Sequence, residues 1–246
     1  MPALIAEIGL NHLGDPERAA TMLAQVLDAG ADCVTFQIRE PGFYHSTESS
    51  HRSLSLEWYR DASVTVRRAG RRFGIAIADP AMVESVAAVG VDFWKTLSWD
   101  FGNQLLRQVL FATGCPVFLS TGLSSMKAVV EGSRHLTNAI LIHTQLSQKP
   151  EDVNLKAIPA MADATGLPVA FGLHSANHDV LKVALAFEPH SIFFYVKQAG
   201  VEGLFDREHA LPLDGLAESL DSLRNLMPAL GTGTKEEMDK PSWVVQ

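Results

Sequence analysis

Eight short apolar runs recur along the chain, at residues 3–10, 33–38, 73–78, 93–98, 116–121, 139–144, 168–173 and 191–196. Each is nearly continuous in hydrophobicity rather than alternating, the pattern of parallel strands covered on both faces. The segments between them carry apolar residues at helical spacing. In the first, DPERAATMLAQVLDAGA, Asp15 is an expected N-cap, Pro16 takes the first helical position and Gly30 marks the stop. Comparable stretches follow the other runs, ending with LDGLAESLDSLRNLM. Eight strand–helix pairs predict a single (β/α)8 TIM barrel of the α/β class over residues 1–230, with 231–246 as a C-terminal extension. An open doubly wound sheet is the rival architecture, but no G-x-G-x-x-G follows the first run.

Composition narrows the function classes. The 246 residues are 47% hydrophobic and 20% charged, a globular balance, with a formal net charge of −8. No basic stripe is present, so neither nucleic acid nor an anionic membrane surface is an expected partner. No apolar run reaches the ~18 residues of a membrane span, and no secretory signal opens the sequence. Two cysteines, Cys33 and Cys115, build no disulfide framework or zinc spacing. The expectation is a cytoplasmic protein acting on small molecules.

In such a barrel the chemistry sits at the C-terminal ends of the strands. The first run carries an acid, Glu7, inside an apolar stretch and ends in Asn11 and His12. A buried carboxylate needs a partner, and Lys95 in the fourth run is the candidate. The other strand ends offer Thr35, Gln37 and Arg39; Asp79; Ser98 and Asp100; Ser120 and Thr121; His143 and Gln145; His174, Ser175 and Asn177; and Tyr195 and Lys197. Asp206 follows in the last loop. His45 and His51, in GFYHSTESSHRS, belong either to a lid over the barrel mouth or simply to the surface.

Several of these stretches occur together in one known family. AEIGLNHLGD followed by AGADCVTFQ, then VDFWKTLSWD, PVFLSTGLSS, LIHTQLSQKPEDVNLKAI and GLPVAFGLHS, in order over residues 3 to 235, resembles the barrel of the sialic acid synthases. The resemblance implies condensation of phosphoenolpyruvate with an N-acylated amino sugar, assisted by a divalent metal, commonly manganese. Residue by residue, it implies a sugar contact for Glu7, Gln37 and Asp206, phosphoenolpyruvate binding by Lys95, and phosphate or carboxylate binding by Ser98 and Ser120. It makes His174 one of two metal-binding histidines, and Asp100 stands where the family usually has glutamate. Glu7, Lys95, Asp100 and His174 are thus the expected catalytic group, and Gln37, Ser98, Ser120 and Asp206 the expected substrate contacts.

The departures from the family pattern are equally specific. Thr35 replaces a second phosphoenolpyruvate lysine, Asp79 a threonine, Gly172 a serine, and Tyr195 the second metal histidine. His143, His178, Asp79 and Asp100 are the candidates to complete a metal site. The family's antifreeze-like C-terminal domain, through which its dimers swap an arginine, does not follow the barrel in this sequence. Any homo-oligomer would therefore use another surface, such as the apolar ending SWVVQ with Trp243. Two alternatives stand beside the synthase reading: a non-catalytic barrel that binds a ligand or partner, and a Schiff-base aldolase using Lys95 or Lys197.

Overall fold

The computed structural model describes residues 1–45, 52–235, 237 and 239. His51 and the SWVVQ ending lie outside them. Eight parallel strands follow one another around a barrel: β1 (Ala3–Gly9), β2 (Cys33–Ile38), β3 (Arg72–Ile77), β4 (Phe93–Lys95), β5 (Val117–Ser120), β6 (Ala139–His143), β7 (Val169–Gly172) and β8 (Ser191–Lys197). Pairing of β1 with β8, from Ala3↔Ser191 to Glu7↔Tyr195, closes the ring. Helices α1 (Pro16–Asp28), α2 (Leu56–Arg68), α3 (Val83–Ala87), α4 (Gln104–Ala112), α5 (Met126–Ser133), α6 (Ala157–Thr165), α7 (Val180–Leu185) and α8 (Leu216–Leu226) alternate with the strands. The expected (β/α)8 TIM barrel is therefore the fold.

Local chemistry explains the boundaries. The Asp15 carboxylate accepts from the N–H groups of Glu17 and Arg18, and Gly30 takes the left-handed conformation (φ +82°) beyond the end of α1. Asn103 caps α4 in the same way, through Leu106 N–H. The fourth apolar run is strand only to Lys95, because the chain then coils into a 3-10 turn at Ser98–Asp100. A short ninth strand, β9 (Leu211–Pro212), pairs with Val196 and Lys197 at the end of β8. The loop between β8 and β9 is thereby folded back beside the barrel mouth.

Strand alternation divides the apolar residues into two cores. One residue from each of seven strands, Ile5, Cys33, Phe93, Phe118, Ile142, Ala170 and Phe193, fills the barrel floor. The alternate positions, such as Leu4, Ala6, Val34, Phe36 and Phe194, pack outward against the helices. Two residues beyond the floor along the same strands stand Glu7, Thr35, Lys95, Ser120 and Tyr195, all buried. Side chains two apart share a face, so these polar groups form the next layer inside the barrel.

Candidate active site

A cavity of about 260 Å³ opens above that polar layer, at the C-terminal ends of the strands. Gln37, Lys95, Ser98, Ser120, His174 and Asp206 line it, so six of the eight expected site residues meet around one space. Glu7 lies beneath the lining, where its carboxylate accepts a 2.6 Å hydrogen bond from the Lys95 ammonium, with both side chains under 10% exposed. Burial raises the Glu7 carboxyl above the ordinary range, and Lys95 opposes that shift. The Lys95 nitrogen also lies 5.6 Å from the ring centroids of Phe193 and Tyr195. Ser98 and Ser120 sit with their hydroxyl oxygens 2.9 Å apart.

Asp100 is not part of the lining. Its Oδ1 lies 3.5 Å from the Asn103 amide nitrogen in the turn after β4, its Oδ2 is buried without a partner, and burial raises its pKa. Asn11 and His12 likewise serve the frame. Asn11 donates to the carbonyl of Val196, tying the end of β1 to β8, and His12 Nδ1 accepts from Gly14 N–H. Asp79 accepts from Ala81 N–H, capping the turn after β3. His143 Nε2 lies 2.8 Å from the Val153 carbonyl on the outer side of the barrel.

The β8–β9 loop contributes a group that the sequence reading did not single out, His209. Its ring lies 4.5 Å from the ring of His174 and 5.2 Å from that of Tyr195, and its Nε2 is 3.5 Å from Asp206 Oδ1. The D-x-x-H spacing of Asp206 and His209 after the last strand is the signal that could have found it. Burial, then the neighbouring His209 and Lys95, push His174 down to about 3, so its imidazole is neutral at ordinary pH. Tyr195 is 5% exposed and lines the cavity, yet its hydroxyl makes no hydrogen bond among the described residues. Burial, with Glu7 and Asp206 nearby, raises its pKa far above the usual phenol value.

Aromatic and cationic groups make the rim. The Arg39 guanidinium lies 4.2 Å from the Phe43 ring and 5.0 Å from Trp99, and pairs with Glu40 through two hydrogen bonds. Phe205 stacks 6.0 Å from Phe43 and under Arg52, which donates to the Gly203 carbonyl. The rim depends on loops, which explains why hydrophobic periodicity did not reveal it.

The model of the NeuB family matches residues 44–235, most of the chain. This chain belongs to the NeuB family. It is 27% identical to the human N-acetylneuraminate-9-phosphate synthase over 260 residues, covering 95% of this chain and 72% of that protein. An N,N'-diacetyllegionaminic acid synthase of Legionella pneumophila is 23% identical and matches 96% of this chain and 75% of its own. Among solved structures, an N-acetylneuraminic acid synthetase from Leptospira borgpetersenii superposes with a TM-score of 0.86 at 24% identity, over 97% of this chain and 88% of that one.

NeuB-family enzymes are generally metal-dependent. The donor set here does not fit that expectation. Among the described residues no group of three or more His, Cys, Asp or Glu side chains could hold a metal ion. His174, the expected ligand, faces the rings of Tyr195 and His209. Of the four candidate substitutes, Asp79 and His143 meet backbone groups, Asp100 stands in the turn after β4 outside the cavity lining, and His178 lines a different groove against α7 and α8. Neither candidate Schiff-base lysine stands free as a nucleophile. Lys95 is held by Glu7, and Lys197 donates to the backbone carbonyl of Arg207. Among the described residues, no helix is long and apolar enough to cross a membrane.

Proposed function

We propose that this NeuB-family protein joins an anionic three-carbon donor of the phosphoenolpyruvate kind to a sugar aldehyde by an aldol-type condensation. The observation that carries the reading is the convergence of Gln37, Lys95, Ser98, Ser120, His174 and Asp206 on one cavity at the strand ends. Lys95 and Arg39 are its cationic lining groups and suit the donor's carboxylate and phosphate. The paired hydroxyls of Ser98 and Ser120 supply neutral donors beside them. Asp206 and Gln37, also in the lining, suit a polyhydroxylated acceptor. The rim of Phe43, Trp99 and Phe205 would screen the bound pair from water.

In the reaction the donor's methylene carbon attacks the aldehyde carbon. A carbon–carbon bond forms, and the carbonyl π pair moves to oxygen and takes up a proton. Water adds at the donor's cationic second carbon and gives up a proton. The carbon–oxygen bond to phosphate then breaks, leaving a keto acid and inorganic phosphate. Lys95, kept paired by Glu7 from below, holds the donor without swinging into solvent.

Thermal unfolding with phosphoenolpyruvate, pyruvate or N-acetylmannosamine, each with and without manganese, tests the reading. A ligand at 100 times its Kd stabilises by ~2.7 kcal/mol, which in a domain of this size raises the midpoint by about 5–10 °C. A shift with phosphoenolpyruvate supports the reading. No shift with any of the three at millimolar concentration removes it.

A further inference from the structure

Tyr195 combines three properties that seldom coincide. It is nearly fully buried, it lines the reaction cavity, and its hydroxyl has no hydrogen-bond partner among the described residues. The hydroxyl therefore faces the cavity rather than the protein, and phenylalanine would fill the same space without offering a donor there. The ring is fixed from several sides: His174 at 5.7 Å, His209 at 5.2 Å nearly perpendicular, and the Lys95 ammonium 5.6 Å from its centroid. Gly9 leaves room for it, since a Cβ there would come within 2.9 Å of Tyr195 Cε1. A rigid, unpaired O–H donor is thus held where a ligand's oxygen can accept from it.

We propose that the Tyr195 hydroxyl polarises the acceptor's carbonyl by hydrogen bonding, taking at this position the part for which the family resemblance implies a metal-binding histidine. The inference rests on the condensation reading above. As the donor carbon attacks, negative charge grows on the aldehyde oxygen, and a fixed hydrogen-bond donor stabilises it most in the transition state. The hydroxyl donates a hydrogen bond and keeps its proton, while the aldehyde oxygen is protonated from solvent. Tyr195 is then a catalytic residue in direct contact with the reacting atoms, and His174 and His209 are the walls that keep its ring from turning.

The test compares wild-type protein with Tyr195→Phe in two measurements. In phosphate release from phosphoenolpyruvate with N-acetylmannosamine and a panel of related sugars, the variant should lose about 100-fold or more in kcat while KM for phosphoenolpyruvate stays nearly unchanged. The wild-type rate should survive dialysis against EDTA. In thermal unfolding without ligand, the variant should melt at the same temperature or higher, because it loses only an unpaired hydroxyl. A variant that keeps the wild-type kcat overturns the inference, as does a wild-type activity abolished by EDTA and restored by manganese. A variant that melts lower also overturns it, since the hydroxyl would then be partnered within the protein. Wild-type protein that releases no phosphate with any sugar removes the condensation reading, and this inference with it. An active wild type beside an equally active variant removes this inference alone.

Discussion

The Glu7–Lys95 pair sets the tone at the scale of single residues. Two opposite charges within 2.6 Å and almost out of water depend on one another. Glu7→Gln strands the ammonium and should cost ~3–5 kcal/mol, read as a lower denaturant midpoint. Glu7→Gln combined with Lys95→Met should recover much of that stability, while the double variant binds phosphoenolpyruvate no better than Lys95→Met alone. The pair was legible in the sequence because an acid inside an apolar run demands a buried cation, and only a few lysines lie near strand ends. His12 shows the other direction of charge control. Burial depresses it to about 4 from 6.5, so the folded protein binds fewer protons than the unfolded chain in that interval. Its contribution is present above pH 6.5 and lost as pH falls toward 4, amounting to about 3 kcal/mol over the interval. His12→Asn, whose amide oxygen can still accept from Gly14 N–H, should make the acid limb of a stability–pH curve shallower by about one proton. His209 was not singled out, because its meeting with His174 depends on how the last loop folds, which no periodicity encodes.

At the scale of elements, the strands and helices were readable because continuous apolar runs and 3.6-residue patterns report burial directly. The early end of β4 and the presence of β9 were not. Both are set by hydrogen bonds between distant segments, such as Leu213 N–H donating to the carbonyl of Lys197. Packing between neighbouring strands sets a strict demand on β3. A Cβ at Gly74 would stand 2.3 Å from the Phe93 ring, which itself belongs to the barrel floor. Gly74→Ala should therefore destabilise by ~3 kcal/mol or more, at the upper end of overpacking costs. Phe93→Leu in the same chain should return part of that loss in urea unfolding. The helices are less exacting, since their contacts with the sheet are spread over many aliphatic side chains.

For the whole molecule, the net charge of −8 frames the anion question. A negative protein that binds a trianion must concentrate its positive charge locally, and Lys95 and Arg39 are where the cavity does so. Arg39→Gln should weaken phosphoenolpyruvate by roughly 10- to 100-fold, the worth of one charge-assisted hydrogen bond of ~1.5–3 kcal/mol. Isothermal titration would read the change, and added salt should narrow the gap between variant and wild type. Five of the eight expected site residues were recognisable as polar groups at strand ends facing one mouth, together with Asp206 from the last loop. The family resemblance supplied the roles expected of them.

The pairing that closes the barrel carries one more consequence, for how the chain reaches this state. β1 cannot complete its second edge until Ser191–Lys197 is available, because Ala3 pairs with Ser191. Contacts so far apart in sequence must await almost the whole chain, and such topologies fold slowly. During synthesis, Glu7 and Lys95 can meet long before the ring is sealed, leaving an open, curved sheet with bare edges at β1 and at the newest strand. Chains stopped short of Ser191 would present those edges to one another. They should therefore aggregate, while chains extended past β8 refold to monodisperse protein.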